Sequence, residues 1–526
     1  MVKEFRNFIN RGNVVELGVA FVMGASFKSL VDVFTKRLIE PLIGLIINLP
    51  NLDNLGLFGD VDPNSGMQSG SFGAFLGEII NYLIIAFVMF LVIKAYNHFE
   101  EMVDDEYNEE VVKEDISYDE FGIELLDVTP EMKEQFDELI EFVEKKTGLS
   151  FVEYPKFNLY TLDGYRDYNA ASYLDDFDKD YEEGEWERAV LSENMWGLNN
   201  SSPEELKELI VEFQRCASAG SYNLLDQILR VPIKRNQIKL NLWEQSVVVH
   251  ELVHSLQGQI VDLSDWYTTM KESDDFMDYP GRRSVMEAQA DLVQAYWEAN
   301  LDPYDRQDMS SQRPNFRCSV SLPTYFYIPF DLYYDFGGRL GKQIHSKDRM
   351  EGLNAALFEL PTAEQVYSPE KYFSKEPYID VDIQTLELNE FSVIDEGQLD
   401  SLDLVYLLQT KIGQNDAVNA AIGLGGGSWV DYINDKNDLF MTVKIQGDDI
   451  NELNEISNAF QNWADFQSRF TKRSNNSSWK GILYEGDTNF WIYNDGNYLR
   501  LALSNDQEFI IDFLSECTSD QCNTNF

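Results

Sequence analysis

Residues 11–49 read RGNVVELGVAFVMGASFKSLVDVFTKRLIEPLIGLIINL, a segment that begins as a small-residue apolar helix and turns amphipathic without a break. From Val14 to Phe27 it is almost wholly apolar; from Lys28 onward the charges Lys28, Asp32, Lys36 and Glu40 return every four residues. Side chains four apart share a helical face, so these charges form one stripe. Lipid does not tolerate such a stripe, which must face water or a partner helix, and Gly18, Ala20 and Gly24 permit close helix approach. A pore-lining helix meets both conditions.

A second apolar stretch covers about residues 75–96, with Ile79 to Ile93 interrupted only by Asn81. About 20 such residues suffice to cross the hydrocarbon. Lys3, Arg6 and Arg11 precede the first helix and Lys94 ends the second, whereas the loop 48–71 holds no Lys or Arg. Basic residues stay on the cytoplasmic side, so both chain ends are expected in the cytoplasm and the loop outside. The first apolar segment is followed by another and shows no small-residue cleavage site, which argues against a removable signal peptide.

The stretches KEFRNFINRGNVVELGVAFVMGASF, PLIGL and FGAFLGEIINYLIIAFVMFLVIK resemble the bacterial large-conductance mechanosensitive channel family over roughly residues 1–100. The resemblance implies a membrane α-helical homopentamer of the inner membrane, embedded in lipid, with two transmembrane helices per chain at about 13–47 and 75–96. It implies a tension-gated, non-selective pore that acts as an osmotic release valve. By the same match Leu17 and Phe21 form the pore gate, and Ala20 and Gly24 are the close-packing positions of the pore helix. Phe21 stands where a smaller aliphatic residue is usual in that family.

The chain is too long for a channel alone, and its 526 residues are expected to divide into residues 1–98 for the channel region, an acidic linker at 99–122, a soluble domain at 123–397 that holds His250 and His254, and an α+β subdomain at 398–526. Net charge is −50, nearly all of it beyond residue 101. A surface of that sign excludes nucleic acid and anionic lipid headgroups as docking partners for the soluble part, because both require basic patches. The four cysteines, Cys216, Cys318, Cys517 and Cys522, form no CxxC pair, so a cysteine zinc site is not expected. A cytoplasmic soluble part would keep Cys517 and Cys522 reduced.

In the soluble part, Thr129-Pro130 and Gly148 bracket a helix, DDFDKDYEEGEWE reads as an acidic loop, and Val231 to Leu240 reads as an edge strand. Toward the end SWVDYI, LFMTVKI, TNFWIY and YLRLAL read as strands, with Asp495-Gly496 as a hairpin turn, and GLGGG at 423–427 as a tight turn. These patterns predict an antiparallel sheet.

VVVHELVHSLQGQ carries the chemistry. His250 and His254 lie four apart, one helical turn, so both imidazoles face the same way, with Glu251 beside them. Two neutral imidazoles suit zinc, and a neighbouring carboxylate can take a proton from water. Only four histidines occur in the chain, and two of them fall here. Downstream, VMEAQADLVQAYW supplies Glu287 and Asp291. HExxH followed by Glu-xxx-Asp resembles the gluzincin metallopeptidases, which implies His250, His254 and Glu287 as ligands of one Zn²⁺ per chain, Glu251 as catalytic base, and Asp291 as the group that orients a histidine. HELVHSLQGQIVDL, EAQAD and LPTAEQVYSPEKYF together resemble an uncharacterised bacterial gluzincin-like family over roughly 125–470, in which a histidine commonly stands where this chain has Ser368. Tyr325, Tyr327, Tyr333 and His345 are candidate donors to an oxyanion.

The fold expected is therefore a two-helix membrane channel followed by a soluble α+β zincin-like domain with a C-terminal antiparallel sheet. The function expected is a mechanosensitive channel carrying a metallopeptidase-like domain with a possible peptide substrate. The alternatives are a peptidase that uses the channel region as an oligomeric anchor, and a zinc-binding pseudoenzyme that caps the pore.

Overall fold

The computed structural model describes residues 56–61, 68–72, 75, 117–216, 218–273, 276–314, 320–388, 390–474 and 479–516. Both expected membrane helices, with Leu17, Ala20, Phe21 and Gly24, lie outside these residues except for Phe75 at the start of the second, as do Cys318, Cys517 and Cys522. Among the described residues no helix is long and apolar enough to cross a membrane. The chain divides into two compact units, Met1–Asp115 and Ile116–Phe526.

In the first unit the described part is a hairpin, β1 (Leu57–Val61) against antiparallel β2 (Gln68–Ser71). It falls inside the loop expected at 48–71.

The second unit is α+β. Helix α1 (Pro130–Thr147) opens where the Thr129 hydroxyl accepts from the Met132 amide and closes on Gly148 at φ +72°, the left-handed conformation that glycine adopts without strain. β3 (Lys156–Tyr160) leads into α2 (Leu162–Asp180), and a second helix, Glu185–Trp196, follows closely. The acidic stretch 175–187 is thus largely helical, not a loop. Thr161 caps α2, while Tyr165, Tyr168 and Phe177 are buried and the acids point outward, so the aromatic face overrides the charge density.

β4 (Ser221–Tyr222) and β5 (Ile228–Pro232) complete a three-stranded sheet in the order β3-β5-β4, with β5 parallel to β3. Of the edge strand expected at Val231–Leu240 only Val231 and Pro232 are strand: the strand is Ile228–Pro232, central in the sheet, and residues 233–240 form no strand. Its residues Leu229 and Val231 are fully buried, which a central position requires. Helices α3 (Leu242–Val261) and α4 (Tyr279–Asn300) pack beside this sheet, sharing a core that includes Val248, Leu252, Ala290 and Val293.

Beyond residue 390, β6 (Phe391–Gln398), β7 (Leu424–Asn434), β8 (Leu439–Gly447), β9 (Phe470–Ser474), β10 (Ile482–Gly486), β11 (Asn489–Asn494) and β12 (Leu499–Ser504) form one antiparallel sheet in the order β9-β10-β11-β12-β8-β7-β6. Period-2 alternation divides its faces. Met441, Val443 and Ile445 meet Ile456, Phe460 and Trp463 of helix α5 (Ile450–Asp465), whereas Phe440 packs with Phe513 and Leu514 on the other side. The Asp495-Gly496 turn joins β11 to β12, with Gly496 at φ +91°. GLGGG proves to be the start of β7 rather than a turn. A Cβ on Gly426 would lie 1.8 Å from the Ile379 carbonyl oxygen, so the glycines admit a backbone that passes over the strand.

Candidate metal centre

Helix α3 starts on a capping box: the Asn241 side chain accepts from the Glu244 amide at 2.9 Å, and Glu244 accepts from the Asn241 amide at 2.8 Å. Its middle is almost entirely buried, so the histidines are held in the core of the fold instead of on a surface turn. Antiparallel contact with α4 brings Glu287, which is fully buried, to the same point.

His250 Nε2 lies 3.1 Å from His254 Nε2 and 3.2 Å from Glu287 Oε2, and His254 Nε2 lies 3.4 Å from the same oxygen. The three donor atoms fall within 4.8 Å of one another. Both imidazoles offer Nε2 to this point because Nδ1 is engaged elsewhere. His250 Nδ1 is 3.1 Å from Gln294 Oε1 and 3.4 Å from Asp291 Oδ1; His254 Nδ1 is 2.9 Å from Gln257 Oε1. Each acceptor is fixed in turn. The Gln257 amide nitrogen donates to Met286 O and Gln289 Oε1, and that of Gln294 donates to Ser246 Oγ. With Nδ1–H donating in both rings, the Nε2 lone pairs are left for a ligand.

Arg283 Nη2 sits 2.6 Å from Glu287 Oε1, one turn back on α4. Burial opposes ionisation of Glu287, but Arg283 and the two histidines hold its carboxyl well below the usual range. Burial would lower His250, yet the Asp291 and Glu287 carboxylates push it up to about 10. Positive charge is thus wanted where the three donors meet, and the set of two imidazole nitrogens and one carboxylate oxygen fits zinc. Glu251, 8% exposed, is pushed up by burial against the pull of both histidines. A cleft of about 400 Å³ opens over these residues, lined also by Gly220, by Ser221 and Tyr222 of the edge strand β4, and by Arg283 and Tyr334.

The structure thus brings together His250, Glu251, His254, Glu287 and Asp291. The proposed oxyanion donors do not join them. Tyr325 donates to Glu193 at 2.5 Å, Tyr327 accepts from the Leu322 amide at 3.3 Å, His345 pairs with Tyr296 at 3.0 Å, and Tyr333 lines a different cavity. Tyr334 is the member of that aromatic run that reaches the cleft, because the chain forms a π-helical turn over Asp331–Phe336 that resets which residues face it. Gln257, Gln294 and Arg283 were also not singled out by pattern, although the spacing of Gln257 from His254 by three positions is a helical-face signal. In LPTAEQVYSPEKYF, Lys371 Nζ pairs with Glu364 at 2.8 Å, with Glu376 at 2.5 Å and with Asp448. That acidic group therefore has its counter-charge from within the chain, and Ser368 separates the two short helices that carry it.

For the N-terminal region the relatives are decisive. The family model described as "Large-conductance mechanosensitive channel, MscL" matches residues 1–124, taking in the acidic segment beyond residue 98. The large-conductance mechanosensitive channel of Lactococcus lactis subsp. cremoris is 41% identical over 115 residues, 21% of this chain and 90% of that protein. That of Limosilactobacillus fermentum is 42% identical over 120 residues, 23% of this chain and 88% of its own length. That of Paracoccus denitrificans is 42% identical over 107 residues, covering 18% and 74% respectively. The chain belongs to the large-conductance mechanosensitive channel family. No solved structure matches it. The family match ends before His250, so the zinc-type residues stand on their geometry alone.

Proposed function

We propose that this chain is a tension-gated channel whose second unit is a zinc metallopeptidase. The observation that carries the second half is the convergence of His250 Nε2, His254 Nε2 and Glu287 Oε2, each with its orienting partner in place. A zinc ion held by these three atoms would supply Lewis acidity to a peptide carbonyl. Glu251, in the same cleft, takes the proton of the attacking water and passes it to the departing amine, so the acyl carbon gains a hydroxyl as the C–N bond breaks. Tyr334 reaches the cleft as the donor for the developing oxyanion. β4, an edge strand on the cleft wall, offers backbone groups that an extended peptide can pair with. Metal analysis of the full-length protein should give about one zinc per chain, lost in His250→Ala; wild-type protein that takes up no zinc even when the metal is supplied would sink the reading.

The channel half rests on family membership, from which a lipid-embedded homopentamer gated at Leu17 and Phe21 follows as the working architecture. Patch recording of the protein in liposomes under suction should show large conductance, and Leu17→Asn should open at lower tension because a polar gate is no longer dewetted. An unchanged threshold would remove Leu17 from the gate.

Two opposed observations bear on the side of the membrane on which the second unit works. The basic residues flanking the helices favour the cytoplasm. Cys216, however, is disulfide-bonded, and such bonds persist in oxidising compartments. We take the cytoplasmic orientation, which predicts that a C-terminal tag is protected from a membrane-impermeant label; a labelled tag would reverse it.

A further inference from the structure

A second cavity, of about 850 Å³, adjoins the histidine cleft, and the two share a wall. Tyr279, Pro329 and Tyr333 face the larger cavity where Arg283, Phe330 and Tyr334 face the cleft. The partition is the π-helical turn and the first turns of α4. A peptide passing over the rim of a partition one helix thick, ~10 Å, would need at least about three extended residues to reach from one to the other.

The larger cavity is acidic. Asp380, Asp382, Asp395, Glu396, Asp400 and Asp403 line it, and no lysine, arginine or histidine does. The first four are exposed to solvent. Asp400 and Asp403 accept from each other's amides at 3.0 and 2.8 Å, and burial pushes both carboxyls up, Asp400 to about 6, with the Asp400 charge adding to the rise at Asp403. Positive charge brought in from outside would relieve that crowding.

Acids alone do not make a site, but two further features point to an occupant. Ser428 lines the cavity at 2% exposure, and its hydroxyl has no hydrogen-bond partner, a buried polar group of the kind that a ligand satisfies. The rings of Tyr333, Tyr406 and Trp429 line the same space, and aromatic faces attract organic cations.

We infer that this cavity is a specificity subsite for a lysine or arginine side chain of the peptide cleaved at the neighbouring histidine cleft. The inference rests on the peptidase reading for the cleaved bond, though not for cation binding itself. Carboxylates paired with aromatic rings suit an ammonium or guanidinium on an apolar stem, which would lie along the rings with its charge among the acids. A basic residue held there would lie several positions along the peptide from the scissile bond, with the intervening residues passing over the rim of the partition.

The test uses full-length protein in lipid nanodiscs carrying Glu251→Gln, to prevent turnover, at ~0.15 M salt where general attraction to an acidic surface is screened beyond about 8 Å. Fluorescence anisotropy compares a labelled peptide of four alternating alanine-lysine pairs with its norleucine counterpart. The lysine peptide should bind about tenfold more tightly, and D382N/E396Q should remove that preference. The equally charge-reducing pair E134Q/E208Q, on exposed helix positions away from the cavity, should leave it intact. Equal binding of the two peptides, or equal losses in both double variants, overturns the subsite. Zinc is measured on the same samples. Zinc present without lysine preference removes the subsite and spares the peptidase; lysine preference lost in D382N/E396Q but with no zinc in any sample keeps the cation site and removes the peptidase.

Discussion

Glu251→Gln should lower peptide hydrolysis by about 10²–10⁴-fold while leaving zinc content at the wild-type level. Glu251 is no part of the three-donor set; it lines the cleft beside it. Glutamine keeps the shape and the helix but cannot accept a proton, so the loss falls on the proton-transfer step. Because burial raises the Glu251 carboxyl, it is a stronger base than an exposed glutamate once ionised, and both histidines help keep it so. The measurement is turnover of a fluorogenic peptide set alongside metal analysis of the same preparation. Hydrolysis that survives in Glu251→Gln would assign the proton transfer to another group, and parallel loss of zinc would make Glu251 a structural residue. No hydrolysis by the wild-type protein, with zinc bound, would leave the pseudoenzyme that caps the pore.

Much of this site could be read from the chain because helices convert spacing into direction. His250, Glu251 and His254 needed only one helix to be placed, and Glu287 and Asp291 needed only a second. The residues that escaped are those whose role depends on where two elements meet. Gln257 acts through Met286 and Gln289 of the neighbouring helix, and Gln294 through Ser246. Only the three-residue spacing of Gln257 from His254 is a local mark, and Gln294 has none. Tyr334 escaped for a different reason: the single π turn shifts the facing of an aromatic run in which Tyr325, Tyr327 and Tyr333 were equally plausible. The strand pattern after residue 390 was legible because alternation and the Asp-Gly turn are local signals, whereas GLGGG owes its glycines to Ile379, a contact that no short window contains. The acidic run at 175–187 looks like a loop in a short window because its charges are local, whereas the aromatic face that makes most of it helical is defined by what α2 packs against.

Glu287→Gln should remove zinc and destabilise the second unit together, which separates it from Glu251→Gln. The carboxylate is fully buried and works in two directions. One oxygen joins the two histidines, and the other lies 2.6 Å from Arg283. Removing one partner of a buried ion pair costs about 3–5 kcal/mol, chiefly because the remaining charge stays desolvated. Arg283 is 27% exposed in its side chain, so water recovers part of that charge and about 1–3 kcal/mol is the better expectation. The sign with pH follows from the depressed carboxyl: its stabilising share is present above the unfolded glutamate range and is lost as pH falls through the lower folded value. Wild-type protein stripped of zinc should therefore lose stability on acidification more steeply than Glu287→Gln, in which no ionised carboxylate remains at this position. Thermal unfolding of both zinc-free proteins across pH 3 to 7 measures the difference. If the two curves run parallel, the Arg283–Glu287 pair contributes nothing to the fold, and Glu287 serves metal binding alone.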